Sequence, residues 1–457
     1  MAVGGAAHED VIGGYASAQA TTAVPMRERA AGRRETVIAL CRDVLVPFVV
    51  TRLALFLVGL LAAFYAMPLV AKNLTLYSTR DNTHLPDALW LMWQRFDAGF
   101  YSFIAAHGYY PASTLKQASD WVFYPLYPWL ARPFAWLLGG GNTAYLIGGL
   151  IASNLAALIG CIYLYLLVRR EFGDRVAGRS VLFLLLYPMS FYLSANSSES
   201  TLLATSVAAL YYARERRWWL AGLCGGLAAL SRLQGVFVVV PLAWELWQAL
   251  SDHYAPLPLQ ADGLPRHRQA RLWVMSRLRG PVLAARNARN WLALAALALV
   301  PLGTFLFMVY TKVHTGSWLA AFHNSQLWGR QTTAPWQVLL TSLQHPEIAD
   351  PGDWNFWIFN NIVALVFLIF MVWALLRLPM IYGLYAVVTV LAPLSSGEMN
   401  NIGRYLVVSF PTFLLLALWT SRKQDARQGQ AALVTTFFAM IQAAFMVLYV
   451  LGVHSMA

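Results

Sequence analysis

Asp97 stands in the run RFDAGFY (95–101), a carboxylate set between Phe96 and the aromatic pair Phe100 and Tyr101. An ionised carboxylate beside hydrocarbon is costly and is retained for a partner or for chemistry. The plain alternatives are an ion pair with Arg95 or a helix cap. Glu199, in NSSES (196–200), precedes an apolar run. It could serve a substrate, or simply complement a helix dipole. Two arginines raise the complementary question. Arg232 turns a corner inside GLAALSRLQGVFVVV (226–240), and Arg404 with Tyr405 follows the polar run SSGEMNNIG (395–403). A lone guanidinium at membrane depth seeks an anion, whether a carboxylate, a lipid headgroup or a phosphate. Snorkelling and interfacial anchoring are the bland readings. A carboxylate able to take a hydroxyl proton, beside guanidinium groups able to hold a phosphate, suits transfer of a sugar from a lipid-linked sugar phosphate.

The elements that must position these residues are membrane helices. The chain has 457 residues, 59% of them hydrophobic and 12% charged, which excludes a soluble globule. Apolar runs at 44–67, 143–168, 180–195, 200–213, 218–231, 233–250, 291–312, 357–376, 379–394, 404–420 and 431–453 give about eleven transmembrane helices in an all-α polytopic protein. Several are shorter than the roughly 20 residues that cross a bilayer unaided, and would need neighbours around them. Most of the 33 Lys and Arg lie before the first run and in alternate loops, including 169–175, 214–217, 251–290 and 421–427. Basic loops stay cytoplasmic, and these read as solvated Arg-rich connectors. Asp97, His84, His107, Asp120, Glu199, Arg232 and the loops 312–330 and 395–405 therefore fall on the outer face. The apolar stretch 121–140 contains Pro125, Pro128, Pro133 and Arg132 and would break this alternation if it crossed. It is expected to be an interfacial or re-entrant helix of the first outer loop.

The net charge of +12 follows from that topology, and no nucleic-acid partner is implied. The three cysteines sit in or beside apolar segments and suggest neither disulfides nor a thiolate metal site. Phosphate loops, dinucleotide fingerprints, HExxH and nucleophile elbows are missing from the sequence, as is any acidic cluster for a divalent metal. No cofactor and no metal are expected. Trp93, Trp121 and Trp328 could stack on a sugar, although most of the 18 tryptophans serve the interfacial belt or the core.

Five runs in order, RFDAGFYSFIAAHGYY (95–110), FYPLYP (123–128), YPMSFYLSANSSES (187–200), GLAALSRLQG (226–235) and NNIGRYLVVSFP (400–411), resemble the successive signatures of the GPI mannosyltransferase 2-like (PIG-V) family. The resemblance extends from about residue 37 to residue 420. It implies the GT-C glycosyltransferase architecture, with interfacial helices in the first outer loop. It also implies a polyprenyl- or dolichyl-phosphate mannose donor, and a catalytic acidic residue in that loop, whose matching position is Asp97. Phe96 replaces the family's common Trp, and Gln234 stands where Asn is expected. Nothing in the chain carries the eukaryotic GPI context, so a bacterial relative in the plasma membrane fits, acting on a glycolipid or glycan acceptor.

The expected organisation is a disordered cytoplasmic segment 1–36, a catalytic membrane domain 37–420 with outer loops 67–142 and 312–356, and a last loop and helix over 421–457. Asp97 is the expected base. Arg95, Tyr101, His107, Tyr124, Glu199, Arg232, Gln234, Glu398, Arg404 and Tyr405 are the expected substrate-binding residues. The competing readings are a GT-C transferase of another lipid-linked sugar and a lipid-linked-sugar flippase. A flippase would place its charges near the bilayer midplane, often in paired repeats, and the chain shows no internal repeat.

Overall fold

A computed structural model describes residues 34–66, 87–256, 266–344, 356–397, 399, 401–421 and 428–452, and every regular element among them is helical. After the long α1 (Arg34–Tyr65), the described part of the 67–142 stretch contains α2 (Asp87–Leu91), α3 (Ala98–His107) and α4 (Leu126–Leu137). The bundle continues with α5 (Asn142–Phe172), α6 (Asp174–Leu186), α7 (Glu199–Arg214), α8 (Trp218–Ser231) and α9 (Val239–Tyr254). Then come α10 (Arg266–Ala284), α11 (Ala288–Thr315), α12 (Ala320–Leu327) and α13 (Pro335–Gln344). The chain closes with α14 (Phe356–Arg377), α15 (Met380–Leu394), α16 (Ile402–Tyr405), α17 (Phe410–Ser421) and α18 (Gln428–Leu451). The expected disordered segment 1–36 lies almost wholly outside the described residues, as does the first part of the 67–142 loop.

Among the described residues six helices are long and apolar enough to cross a bilayer, seven if the bent pair Ile402–Val408 and Phe410–Ser421 is one crossing. The other four expected intervals fall on α6, α7, α8 and α15, which have 13 to 16 residues. At 1.5 Å per residue these reach roughly 20–24 Å, short of an unaided crossing. They pack instead between longer neighbours. Gly222 and Gly226 of α8 let α11 approach backbone to backbone; a Cβ on Gly222 would lie 1.8 Å from the Ala296 carbonyl oxygen. Small residues at such crossings are the usual means of close helix contact in lipid.

The 121–140 stretch contains a 3-10 turn (Asp120–Val122) and the 12-residue α4, about 18 Å long. This helix is too short to cross, and it lies directly on α5, where a Cβ on Gly148 would meet Ala131 O at 2.8 Å. Arg132 has a structural task. It donates to the Ala105 and Ile104 carbonyls at 2.7 and 3.1 Å, closing the end of α3.

The segment 187–198 leaves the α-helical path, with a single 3-10 turn over Ser190–Leu193, yet is buried, because Pro188 follows the end of α6 and helical backbone is disfavoured before proline. Backbone carbonyls released inside a bundle need donors. Arg52 of α1 supplies them to Leu185 and Ser190, each at 3.0 Å. Gln442 of α18 bonds Leu185 O at 2.9 Å, Tyr187 O at 3.0 Å and Ser190 Oγ at 2.6 Å. The basic loops, expected to be solvated connectors, are partly cross-linked. Arg214 joins Glu171 of α5 to Glu245 of α9 at 2.7 and 3.0 Å, and Tyr382 donates to Glu171.

Candidate active site

Asp97 occupies the position before α3, but its side chain makes no capping hydrogen bond. Its carboxylate pairs with Arg404, Nη1 to Oδ2 at 2.8 Å. The cap reading therefore fails, and the ion partner lies 307 residues away rather than two. Arg95 is buried and donates Nε to the Val450 carbonyl at 2.8 Å, which ties this turn to the end of α18. Tyr449 adds a bond from its hydroxyl to Trp93 O at 3.0 Å.

Arg404 continues the network inward. Its Nε donates to Glu199 Oε1 at 2.6 Å, and the same oxygen accepts from Arg232 Nη1 at 2.5 Å. The four residues form an alternating line, Asp97–Arg404–Glu199–Arg232, drawn from four parts of the chain. Exposure is graded along it: Arg404 and Glu199 side chains are each 1% exposed, Arg232 is 14% and Asp97 is 24%. The carboxylate at the open end is thus Asp97. The buried Arg404 Nη2 has no hydrogen-bond partner among the described residues.

Aromatic rings and hydroxyls fix this line. Arg404 lies over Tyr192 at 4.5 Å, and Arg232 lies over Tyr405 at 4.6 Å, in cation–π contact. Tyr101 shares a 2.8 Å hydrogen bond with Ser198, which also meets Arg232 Nη1 at 3.4 Å. Tyr127 of FYPLYP donates to Asn196 Oδ1, while Asn196 Nδ2 donates to Ser102 Oγ at 2.7 Å. All five runs that carry the family resemblance therefore meet at one end of the bundle.

Local backbone explains how Asp97 and Arg404 are presented. Phe96 has φ +53°, a conformation that a bulky residue adopts at a cost of order 1–3 kcal/mol. Asn401 has φ +64°, which Asn tolerates more easily. Each sits just before one half of the ion pair. A 72° bend at Ser409 then lays α16 across the bundle end instead of along α17. The expected unbroken helix over 404–420 is replaced by that bend, so Arg404 and Tyr405 point across the site.

The remaining expected residues divide. Tyr405 accepts a 2.8 Å hydrogen bond from Arg330 Nη2, a guanidinium that the sequence did not single out. Arg330 arrives because Gln331 and Thr333 pair by backbone with Ser396 and Ser395. Gln234 is half-buried in the turn after Arg232. His107 lies exposed at the far end of α3, its ring 4.9 Å from Phe103, roughly 15 Å along the helix from Asp97. Tyr124 is buried against Phe307 at 4.6 Å, in a separate aromatic group. Glu398 and His84 lie outside the described residues. Trp93 and Trp121 are enclosed, whereas Trp328 is half-buried beside Phe100 and donates to Ser119 O at 3.0 Å.

Asp120 belongs to the aromatic group of Tyr109, Trp121 and Tyr310. Burial pushes its carboxyl up to about 6, against the opposing pull of the Tyr110 N–H, 2.9 Å from Oδ2. The folded protein thus takes up this proton before the unfolded chain does. Stability conferred at this position should rise as pH falls from 7 through about 6 and should level off below about 4, the ordinary carboxyl range. Thermal unfolding of wild type and Asp120→Asn across that interval should show wild type gaining on the variant as pH drops. Parallel curves would refute this assignment.

Residues 123–256 match the family model described as dolichyl-phosphate-mannose-protein mannosyltransferase. GPI mannosyltransferase 2 of Schizosaccharomyces pombe is 26% identical over 170 residues, which is 35% of each chain, so the match spans about a third of that relative. Among solved structures, ArnT from Cupriavidus metallidurans bound to undecaprenyl phosphate is 17% identical, with TM-score 0.42 over 80% of this chain and 75% of that one. The oligosaccharyltransferase AglB from Archaeoglobus fulgidus, solved with an inhibitory peptide and a dolichol-phosphate, is 12% identical, with TM-score 0.40 over 90% and 56%. The described residues are all helical, and their long apolar helices make the chain a multi-pass membrane protein. Over residues 123–256 the chain is similar to the dolichyl-phosphate-mannose-protein mannosyltransferase family, and over 170 residues to GPI mannosyltransferase 2.

Proposed function

We propose that the chain is an inverting membrane glycosyltransferase that moves mannose from a polyprenyl- or dolichyl-phosphate donor to a hydroxyl of a glycolipid or glycan, at the outer face of a bacterial plasma membrane. The observation that carries this reading is the line Asp97–Arg404–Glu199–Arg232, with its one partly open carboxylate at the end. Asp97 takes the acceptor's proton as the acceptor oxygen attacks the anomeric carbon. The bond from that carbon to the donor phosphate breaks, and the electron pair leaves with the lipid phosphate. Attack opposite the leaving group inverts the anomeric centre. Arg232, the more open of the two arginines in the line, meets the developing phosphate charge, and Arg404 holds Asp97 in place. Guanidinium groups then perform what a divalent ion does elsewhere, so the reaction needs no metal. Basic-residue distribution supports the outer-face placement.

The test is transfer by purified protein from polyprenyl-phosphate mannose, run beside polyprenyl-phosphate glucose and arabinose. Transfer of mannose, undiminished by EDTA, is the expected result. Preference for another sugar would replace the donor assignment, and strict divalent dependence would refute the metal-free mechanism. Movement of the lipid-linked sugar across vesicles without any transfer would favour a flippase.

A further inference from the structure

The second end of the bundle carries an unassigned surface. The chain leaves the active-site end at Arg232, and α9 runs 16 residues away from it to Tyr254. There α10 docks on α9. Trp247 donates Nε1 to the Arg277 carbonyl at 2.8 Å, and the Arg277 guanidinium bonds Gln248 O and Asp252 Oδ1 at 3.1 and 2.7 Å. These contacts consume one face of α10. On the other side, Val274, Leu278 and Val282 are spaced four residues apart, one stripe of a helix, and are 46%, 65% and 66% exposed.

The residues flanking the stripe are basic. Arg268, Arg271 and Arg279 are exposed on α10, and Arg286 is exposed just beyond its end. None of the four pairs with a carboxylate among the described residues, whereas Arg277 does. Between α9, α10 and the start of α11 lies an apolar cavity lined by Trp247, Leu250, Pro281, Ala284, Trp291 and Leu294. The sequence alone reads residues 251–290 as a solvated connector. A solvated connector has no use for an outward aliphatic stripe or for an apolar cavity beneath it. An exposed aliphatic stripe beside unpaired arginines suits the boundary between acyl chains and headgroups, where the cations draw anionic lipid.

We propose that α10 and the ends of α9 and α11 form a binding site for an anionic phospholipid, remote from the Asp97 site. The aliphatic stripe seats in the acyl region, and the cavity accepts part of an acyl chain. Arg268, Arg271, Arg279 and Arg286 hold the phosphate-bearing headgroups. Anionic charge selects the ligand, because a zwitterionic lipid would offset the four cations less.

The experiment uses the full chain in nanodiscs of phosphatidylcholine and phosphatidylglycerol in equal amounts, with the retained lipid read by native mass spectrometry after release. Phosphatidylglycerol should be retained over phosphatidylcholine. In R268Q/R271Q/R279Q/R286Q that preference should fall, by up to about fivefold per arginine removed. Equal retention of both lipids by the parent protein, or retention unchanged in the variant, would overturn the site. Should the variant not fold, a fluorophore on Leu278→Cys, with Cys41, Cys161 and Cys224 replaced by Ala, reports independently. Quenching by acyl-brominated phosphatidylglycerol is expected, stronger than by the phosphatidylcholine equivalent. No quenching, or equal quenching by both, would overturn the proposal.

Discussion

Asp97→Asn is expected to abolish sugar transfer while leaving a folded, monodisperse protein. The substitution keeps the shape and an oxygen acceptor for Arg404, but it removes the basic site to which the proposed mechanism assigns the acceptor's proton. General-base removal alone lowers rate by about 10²- to 10⁴-fold. The cost to stability should be small, because Asp97 is the most exposed member of the line and Arg404 retains Glu199. Donor binding should survive, since the proposed mechanism seats the phosphate on Arg232 and not on Asp97. The measurement is therefore a pair: initial rate of transfer, and retention of the polyprenyl-phosphate sugar by the purified variant. Near-normal transfer would remove Asp97 from the chemistry. Loss of both rate and donor binding would mean that it positions the site instead.

The second large effect falls on stability. Arg404 is buried and serves two carboxylates, so Arg404→Met strands charge in a place with little water. Breaking one partner of a buried ion pair costs about 3–5 kcal/mol, most of it the uncompensated charge left behind. Arg404→Met should accordingly lower the thermal midpoint far more than Asp97→Asn does. Adding Glu199→Gln to the same chain should recover part of the loss, because Arg232 and the surrounding hydroxyls can satisfy a neutral amide. A second substitution that deepens the loss would show that Glu199 contributes through something other than its charge. A midpoint unchanged in Arg404→Met would disprove the buried bridge.

These two expectations show how far the sequence could be read. The class of fold was legible because apolar runs and asymmetric basic loops reflect the bilayer directly. The members of the charged line were legible one at a time, because each is an ionisable residue in an apolar setting. Their pairing was not. Arg95 is two residues from Asp97 in sequence, yet the carboxylate turns to Arg404, which arrives from the far end of the chain. A one-dimensional reading gives the nearest cation, while packing selects the one that backbone geometry can aim. The strained φ of Phe96 and the bend at Ser409 do that aiming, and no residue type announces either.

Other parts were hidden for related reasons. Arg330 reaches Tyr405 only through a loop pairing of 331–333 with 395–396. Arg52 was visible as a charge inside the first span, but its task depends on carbonyls freed near Pro188. His107 and Tyr124 share a loop with Asp97, and proximity in sequence overstated their proximity in space. The helix turns one away, and aromatic packing encloses the other.

The line of four charges also sets a timetable. Synthesis proceeds from the N-terminus, so Asp97 and Glu199 enter the membrane before the ribosome has made the arginine that joins them. Glu199 waits for 205 residues and Asp97 for 307. Arg232 and the Ser197 hydroxyl can shelter the glutamate in the interval. The line is thus incomplete until the last eighth of the chain is made, and the Val450 and Tyr449 contacts to the Arg95 turn close only after α18 is in place. A chain interrupted before residue 402 would hold most of the bundle yet leave Asp97 without its ion partner and Glu199 with one of its two arginines.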